Sequence, residues 1–204
     1  KYPTVKSDQN GNFNGQSTTT PGTVVLQTQG ENLTLDFSNI DDKYIYYTID
    51  ATNFDMVSPW SSWMKVLQIK GITEDKFLFL NIDVGTNPDA YFSKSWMVYK
   101  DDGTTFATGE VPLEDGGCRV LYNIVSSDGN GGNYKPFEGK AVFGERRNGS
   151  ILAPNADVNV AGNTNGTIIA RNFVATGESH RCDIQQEGTE GDDADWSLGE
   201  DTPK

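Results

Sequence analysis

The sequence predicts an all-β fold, a β-solenoid of the parallel β-helix type with one short helix packed on it or capping it. Three observations carry this: an internal repeat, a turn-rich composition, and short alternating runs bounded by Gly, Asn and Asp. The repeat lies between Asn148 and His180, NGSILAPNADVNVAGNTNGTIIARNFVATGESH. Displaced by seventeen residues, Asn148, Gly149, Ile151, Ala153 and Asn155 fall on Asn165, Gly166, Ile168, Ala170 and Asn172. Ser150 and Leu152 fall on Thr167 and Ile169. A unit this short cannot bury an apolar face alone, so it is expected to stack on its copy. Asn-Gly at a stacked turn fits, since Gly accepts positive φ and superposed Asn amides form a ladder.

Composition narrows class and function. A chain of 204 residues supports one substantial core, and the 22 Gly with many Asn, Asp, Ser and Thr favour a turn-rich β protein over a helical one. One domain is expected over residues 23–187, preceded by a polar arm (1–22) and followed by an acidic tail or linker (188–204). The net charge of −13, from 29 acidic and 16 basic residues, excludes nucleic acid as a partner. Arg146-Arg147 is the adjacent basic pair. No apolar run reaches membrane-spanning length, so no insertion is expected. Such acidity suits an extracellular protein and leaves Ca²⁺ or a cationic surface as weaker expectations. The chain begins at Lys1 without a leader pattern, as a mature form or a fragment would.

In chain order, Lys1 to Gly22 reads as an exposed arm or irregular rung ending in the Pro21-Gly22 turn. Thr23 to Gln29 and Asn32 to Phe37 are short strands about Gly30, and Lys43 to Ala51 (KYIYYTIDA) is a strand rich in aromatic and β-branched residues. Ser58-Pro59 offers an N-cap with Pro at the first helical position. Trp60, Trp63, Met64 and Leu67 follow at helical spacing, giving the one expected helix. Val66 to Lys70 and Phe77 to Val84 (FLFLNIDV) are strands, the latter apolar enough to be buried on both faces, as parallel strands are. After the loop at Gly85 to Ala90, the stretch Tyr91 to Lys100 ends at the turn Asp101-Asp102-Gly103. Arg119 to Val125 is a strand and Ser126 to Asn133 an exposed loop, with no helix behind its glycines to bind phosphate. Beyond the repeat the tail from Glu187 is acidic, with Trp196 and Leu198 available to dock back.

RVLYNI, GSILAPNADV, NGTIIARNF and GESH together resemble the choice-of-anchor A family, an adhesive domain of extracellular, chiefly bacterial surface proteins. FLFLNIDVG is similar to that family's earlier strand. The resemblance is specific from about Arg119 to Ile184 and looser back to Leu33. The family's early glycine-rich pattern has no equivalent near Lys1. The resemblance implies a β-helical adhesive module and no catalytic residues, with Glu178 and His180 falling in the family's motif.

Sites of chemistry are few. Glu178, His180 and Cys182 share one strand face if that segment is extended, which would suit a metal site or a Cys-His nucleophile. The simpler expectation is structural, with Glu178 and His180 satisfying backbone groups and Cys182 paired to Cys118 in a disulfide; two inert thiols are the alternative. A thioester between Cys182 and nearby Gln185 or Gln186 ranks below the disulfide. Asp41-Asp42, Asp101-Asp102 and Asp128-Gly-Asn read as solvated turns before they read as Ca²⁺ ligands, and no spacing marks a carboxylate pair for glycoside chemistry. Asn32, Asn148 and Asn165 stand in glycosylation sequons. The expectation is a non-enzymatic extracellular adhesin, without cofactor, for a surface, glycan or matrix ligand. The alternative is a self-associating subunit of an extracellular filament or surface layer. A polysaccharide-degrading enzyme is a third class. Ice binding would need a flat face of repeated Thr, which Thr18 to Thr20 and Thr167 do not supply.

Overall fold

In the structure, a computed structural model that describes residues 4–5, 25–29, 32–54, 66–73, 75–93, 95–99, 119–128 and 133–180, the alternating runs form strands that pass between two sheets. In chain order these are β1 (Thr4–Val5), β2 (Val25–Gln29), β3 (Asn32–Asp36), β4 (Tyr44–Asp50), a 3₁₀ turn (Ala51–Phe54), β5 (Val66–Lys70), β6 (Phe77–Asp83), β7 (Asp89–Phe92), β8 (Ser95–Val98), β9 (Val120–Ser126), β10 (Lys135–Pro136), β11 (Lys140–Phe143), β12 (Arg147–Asn148), β13 (Ser150–Val160), β14 (Thr164–Asn165), β15 (Ile168–Ala175) and β16 (Ser179–His180). Among the described residues the protein is nearly all-β.

The smaller sheet runs β2-β3-β5-β8-β12-β14-β16, so spatial order there is chain order. The larger sheet runs β1-β4-β6-β9-β13-β11-β7, with β15 on β13 and β10 on β9. Among the described strands the pairings are parallel, apart from β2 with β3 and β10 with β9. The larger sheet is curled, and β13 follows the curl. Its residues Ser150 to Leu152 pair with β9 and its residues Asp157 to Val160 pair with β11.

Parallel register stacks like upon like. Ile49, Ile82 and Ile124 form one fully buried column, and Tyr47, Leu80, Tyr122 and Ile151 another. Phe92, Phe143 and Val160 form a third, the two phenylalanine rings stacked at 4.8 Å. Period-two alternation turns these side chains inward and their neighbours outward. Corners stack too: Gly144, Ala161 and Thr176 donate backbone N–H bonds to Phe92, Phe143 and Val160 of the preceding pass, at 3.0, 2.8 and 2.9 Å. At the corner before β13, Gly149 has φ +118°, and a Cβ there would lie 2.5 Å from the Tyr122 ring. Gly166, one pass on, would place its Cβ 2.3 Å from the carbonyl oxygen of Gly149.

One inward column changes character along the fold. Leu33, Leu67 and Trp96 are followed by Arg147, Thr164 and Ser179. Arg147, half of the basic pair, is fully buried, its guanidinium 4.2 Å from the Phe143 ring centroid and 5.6 Å from that of Trp96. Its Nη2 donates to the carbonyl of Phe92 at 3.0 Å and its Nη1 to that of Glu145. Burial lowers its pKa to about 9.

Several sequence expectations change. Ser58 to Met64 of the expected helix lie outside the described residues, and Leu67, the last member of its apolar stripe, is a buried residue of β5. The stretch Tyr91 to Lys100 divides between β7 in one sheet and β8 in the other. Strands β10 and β11 were not expected. Phe77 to Asp83 pairs in parallel on both sides, yet Phe79 and Asn81 on its outer face are only half-buried.

Two outcomes follow from this packing. Gly149→Ala should cost about 1–3 kcal/mol, from strained φ and the collision with Tyr122, whereas Gly144→Ala, whose Cβ would meet nothing closer than 3.5 Å, should leave urea unfolding unchanged. Burial raises the pKa of Tyr47 and Tyr122 far above the usual 10. Above pH 10 the unfolded chain releases protons that the folded one keeps, so stability should fall with rising pH, by ~1.4 kcal/mol per phenol per pH unit. Arg147 opposes this from about pH 9 upward, because its proton leaves the folded chain first, but two phenols outweigh one guanidinium. The Tyr47 hydroxyl is buried without a hydrogen-bond partner, so Tyr47→Phe should flatten the alkaline decline in melting temperature without lowering stability at pH 7.

Candidate binding surface

The outward side chains of β4, β6 and β9 lie in rows across the larger sheet, because the strands are parallel and in register. Tyr44 and Phe77 form the first row, with rings stacked at 5.7 Å and 27°. Tyr46, Phe79 and Leu121 form the second, Tyr46 lying on Phe79 at 4.8 Å with only 11° between ring planes. Tyr44 is 53% exposed and Tyr46 45%, and Lys43 Nζ stands 5.7 Å from the Tyr44 ring centroid. The third row is polar: Asn123 Nδ2 donates to Asn81 Oδ1 at 2.8 Å, and Asn81 Nδ2 donates to Thr48 Oγ1 at 3.2 Å. The fourth holds Asp50, Asp83 and Val125. Thr48, Phe77, Asp83 and Val125 are buried, so the open part of this face is the strip of Tyr44, Tyr46, Phe79 and Leu121 with the bonded Asn81 and Asn123 amides beside it, an arrangement suited to holding a polar polymer or surface.

Sequence reasoning did not pick out this face, although its signal is present. KYIYY and FLFLN each place aromatic residues two apart, Tyr44 with Tyr46 and Phe77 with Phe79, and strand alternation turns both pairs outward.

The repeat builds scaffold. Asn165 Nδ2 donates to Asn148 Oδ1 at 3.0 Å, forming an amide ladder whose third position is His180. Ile151 and Ala153 pair with Ile168 and Ala170, as the seventeen-residue displacement requires. The register then shifts: Asn172 pairs with Asp157 and donates to its carboxylate at 2.7 Å, so Asn155 is not its partner. The shift falls where β13 leaves β9 and β10 pairs with β9 instead, so β13 carries additional residues, Pro154 to Ala156, around that point. Arg171 lies 2.8 Å from Asp157, and these bonds from Asn172 and Arg171 hold the Asp157 carboxyl below its usual pKa. Glu178 and His180 stand at the end of this scaffold, both exposed, with His180 Nε2 3.5 Å from Glu178 Oε2. Their strand neighbour on the sequence reading, Cys182, and its expected disulfide partner Cys118 lie outside the described residues.

The family described as a putative ice-binding-like adhesive domain matches residues 4–181. The chain belongs to this family. No curated protein and no solved structure matches it. Among the described residues of this adhesive domain, no three His, Cys, Asp or Glu side chains gather to hold a metal ion, and Asp101 and Asp102 lie outside those residues. An ice-binding-like family invites a search for a flat threonine array. The third row of the larger sheet reads Thr48, Asn81, Asn123, Leu152 and Ile169, which is no such array.

The sequons of the adhesive domain are unequal. Asn148 is 2% exposed with its amide in the ladder, whereas Asn32 and Asn165 are partly exposed. Peptide mapping of folded protein secreted from a eukaryotic host should therefore find Asn148 unmodified. A glycan on Asn148 in folded material would contradict the ladder.

Proposed function

We propose that this chain is an extracellular adhesive module without catalytic activity or cofactor, a β-solenoid whose rigid outer face holds a surface, glycan or matrix ligand. Membership of an adhesive family supports the binding role. The solenoid reading is supported by the smaller sheet, where each return of the chain lies beside the one before, and by the stacked corners. The motifs shared with the choice-of-anchor A family suggest the narrower kinship and a cell-surface location.

The observation that carries this reading is the row pattern on the larger sheet, from the Tyr46–Phe79 stack to the bonded amides of Asn81 and Asn123. Stacked rings and bonded amides have little rotamer freedom left to lose, so a ligand laid on them incurs a small ordering cost. The negative charge of the chain favours neutral or cationic surfaces over nucleic acid or acidic polymers.

A glycan and matrix-protein array should identify the ligand. Tyr46→Ala combined with Phe79→Ala should then weaken binding about tenfold or more, the ~1–2 kcal/mol of an aromatic anchor, while His180→Ala leaves it intact. Unchanged affinity in the folded double variant would remove this face from consideration.

One observation favours the filament reading as the second. Strand β15 pairs only with β13 among the described strands, and it exposes Ile169, Phe173 and Val174. An apolar, unpaired strand edge is a template for another chain. Light scattering across a concentration series separates the two: a persistent monomer of 22.3 kDa supports adhesion alone, and growth abolished by a charged substitution in β15, Phe173→Lys, supports assembly through that edge.

A further inference from the structure

Beyond the ends of β6 and β9 the chain forms a half-open cavity of about 660 Å³, which the aromatic strip does not use. That volume lies within the ~300–1,000 Å³ range typical of small-molecule sites. Its lining includes Asn87, Ser126, Asn133, Lys135, Phe137 and Glu138.

The walls are tied to the sheets at several points. Asp83, at the end of β6, accepts bonds from Ser127 Oγ at 2.6 Å and from the Gly85 backbone N–H at 2.9 Å, joining two of the lining segments to one buried carboxylate. Asn87 Nδ2 donates to the Val84 carbonyl at 2.7 Å, and Val84 N–H donates to the Val125 carbonyl at 2.9 Å. On the other side the Phe137 ring is sunk in the core, and the next lining segment approaches so closely that a Cβ on Gly139 would lie 1.8 Å from the Pro88 carbonyl oxygen. Lys140 N–H donates to Asp89 Oδ1 at 3.2 Å just beyond. The cavity is thus held open by bonds to the scaffold and does not need a ligand to form it.

Its chemistry selects a class of ligand. Amides of Asn87 and Asn133, hydroxyls of Ser126 and Thr86, carboxylates of Asp128 and Glu138 and the ammonium of Lys135 place donors and acceptors side by side. Two carboxylates against one ammonium, on a chain of net charge −13, disfavour phosphate, sulfate or uronate. The lining also lacks the three carboxylate, His or Cys ligands that a cation would need among the described residues. Most of the lining surface is apolar with these polar groups set among it, so a wholly apolar guest would strand their hydrogen bonds and a wholly polar one would leave the apolar wall uncovered. What remains is a neutral molecule that donates and accepts at many points.

We infer that this cavity is a binding pocket for a short neutral saccharide, separate from the adhesive face of β4, β6 and β9. The inference stands on the cavity and does not depend on what that face holds.

The test is an NMR titration of the whole chain with neutral oligosaccharides of different linkage, alongside uronate oligosaccharides of matched length. The expected result is saturable binding of at least one neutral saccharide, with shifts among the described residues confined to 85–88, 126–128 and 133–139. Asn133→Ala and Glu138→Ala, both at exposed positions that circular dichroism should find folded, should each weaken it about tenfold. Tyr46→Ala combined with Phe79→Ala should leave it unchanged. The inference is overturned if no neutral saccharide shifts these residues at millimolar concentration, if uronates bind more tightly, or if the shifts fall on Tyr44, Tyr46 and Phe79 instead. The last outcome would support the adhesive face while removing the pocket, and loss of face binding with an intact pocket titration would do the reverse.

Discussion

In-register parallel pairing is the constraint on which the rest of this structure depends. Each residue of a strand sits beside its counterpart one pass earlier, ~4.8 Å away, so whatever a position does must be compatible with the same position above and below it. Inward positions therefore become columns of one character, as with Ile49, Ile82 and Ile124. Corners are squeezed by the same rule. Where the chain turns from β12 to β13 and from β14 to β15, backbone lies on backbone or on the Tyr122 ring, and only glycine leaves room. The Asn148–Asn165 ladder is the polar form of that logic: an amide carries both a donor and an acceptor, so each copy can bond the next.

Arg147 is the exception to uniform columns, and its surroundings explain why it is tolerated. An isolated buried cation costs several kcal/mol, and the lowered pKa reflects that desolvation. The Phe143 and Trp96 rings offer their electron-rich faces in return, and two carbonyl oxygens accept from the guanidinium. Those carbonyls belong to different passes, Phe92 from the earlier corner and Glu145 from the later one. One side chain thus cross-links two turns of the chain inside the core, where a leucine would fill space without fixing their relative height. The cost of burying charge is set against a gain in register.

Much of the strand pattern is legible in the sequence because alternation and β-branching act locally. Val66–Lys70, Asn32–Asp36 and Phe77–Asp83 emerge from their own residues with ends misplaced by a residue at most. The start of the repeat is legible for the same reason, since identical residues seventeen apart stack as a unit. What escapes is decided by partners distant in the chain. The register break after Ala153 arises where β10 takes over the pairing of β9, and nothing in NGSILAPNADV announces that neighbour. Arg147 reads as half of a basic pair, and only the columns of Trp96 and Phe143 show that it points inward. The candidate surface is hidden likewise. Tyr44 and Tyr46 are ordinary strand aromatics until β6 brings Phe77 and Phe79 beside them. Leu67 shows the converse error, since helical spacing that included it yields to a strand whose neighbours β3 and β8 are already in place.

The same constraint bears on adhesion. A parallel sheet that repeats its strands at a fixed spacing repeats its outward side chains too, so the surface is a lattice whose rows cannot move independently. The second and third rows of the larger sheet, Tyr46–Phe79–Leu121 and Thr48–Asn81–Asn123, each continue over three strands. A ligand that touches one position of a row meets the next at ~4.8 Å, and along a strand the same face recurs every ~6.6 Å. A polymer or a solid surface can satisfy many such points at once, whereas a small solute can use only one or two. Weak contacts then add within a single rigid frame, and the affinity of the whole depends on how many rows are engaged. Under the proposed function, the net charge of −13 favours neutral or cationic surfaces as the ones that engage several rows.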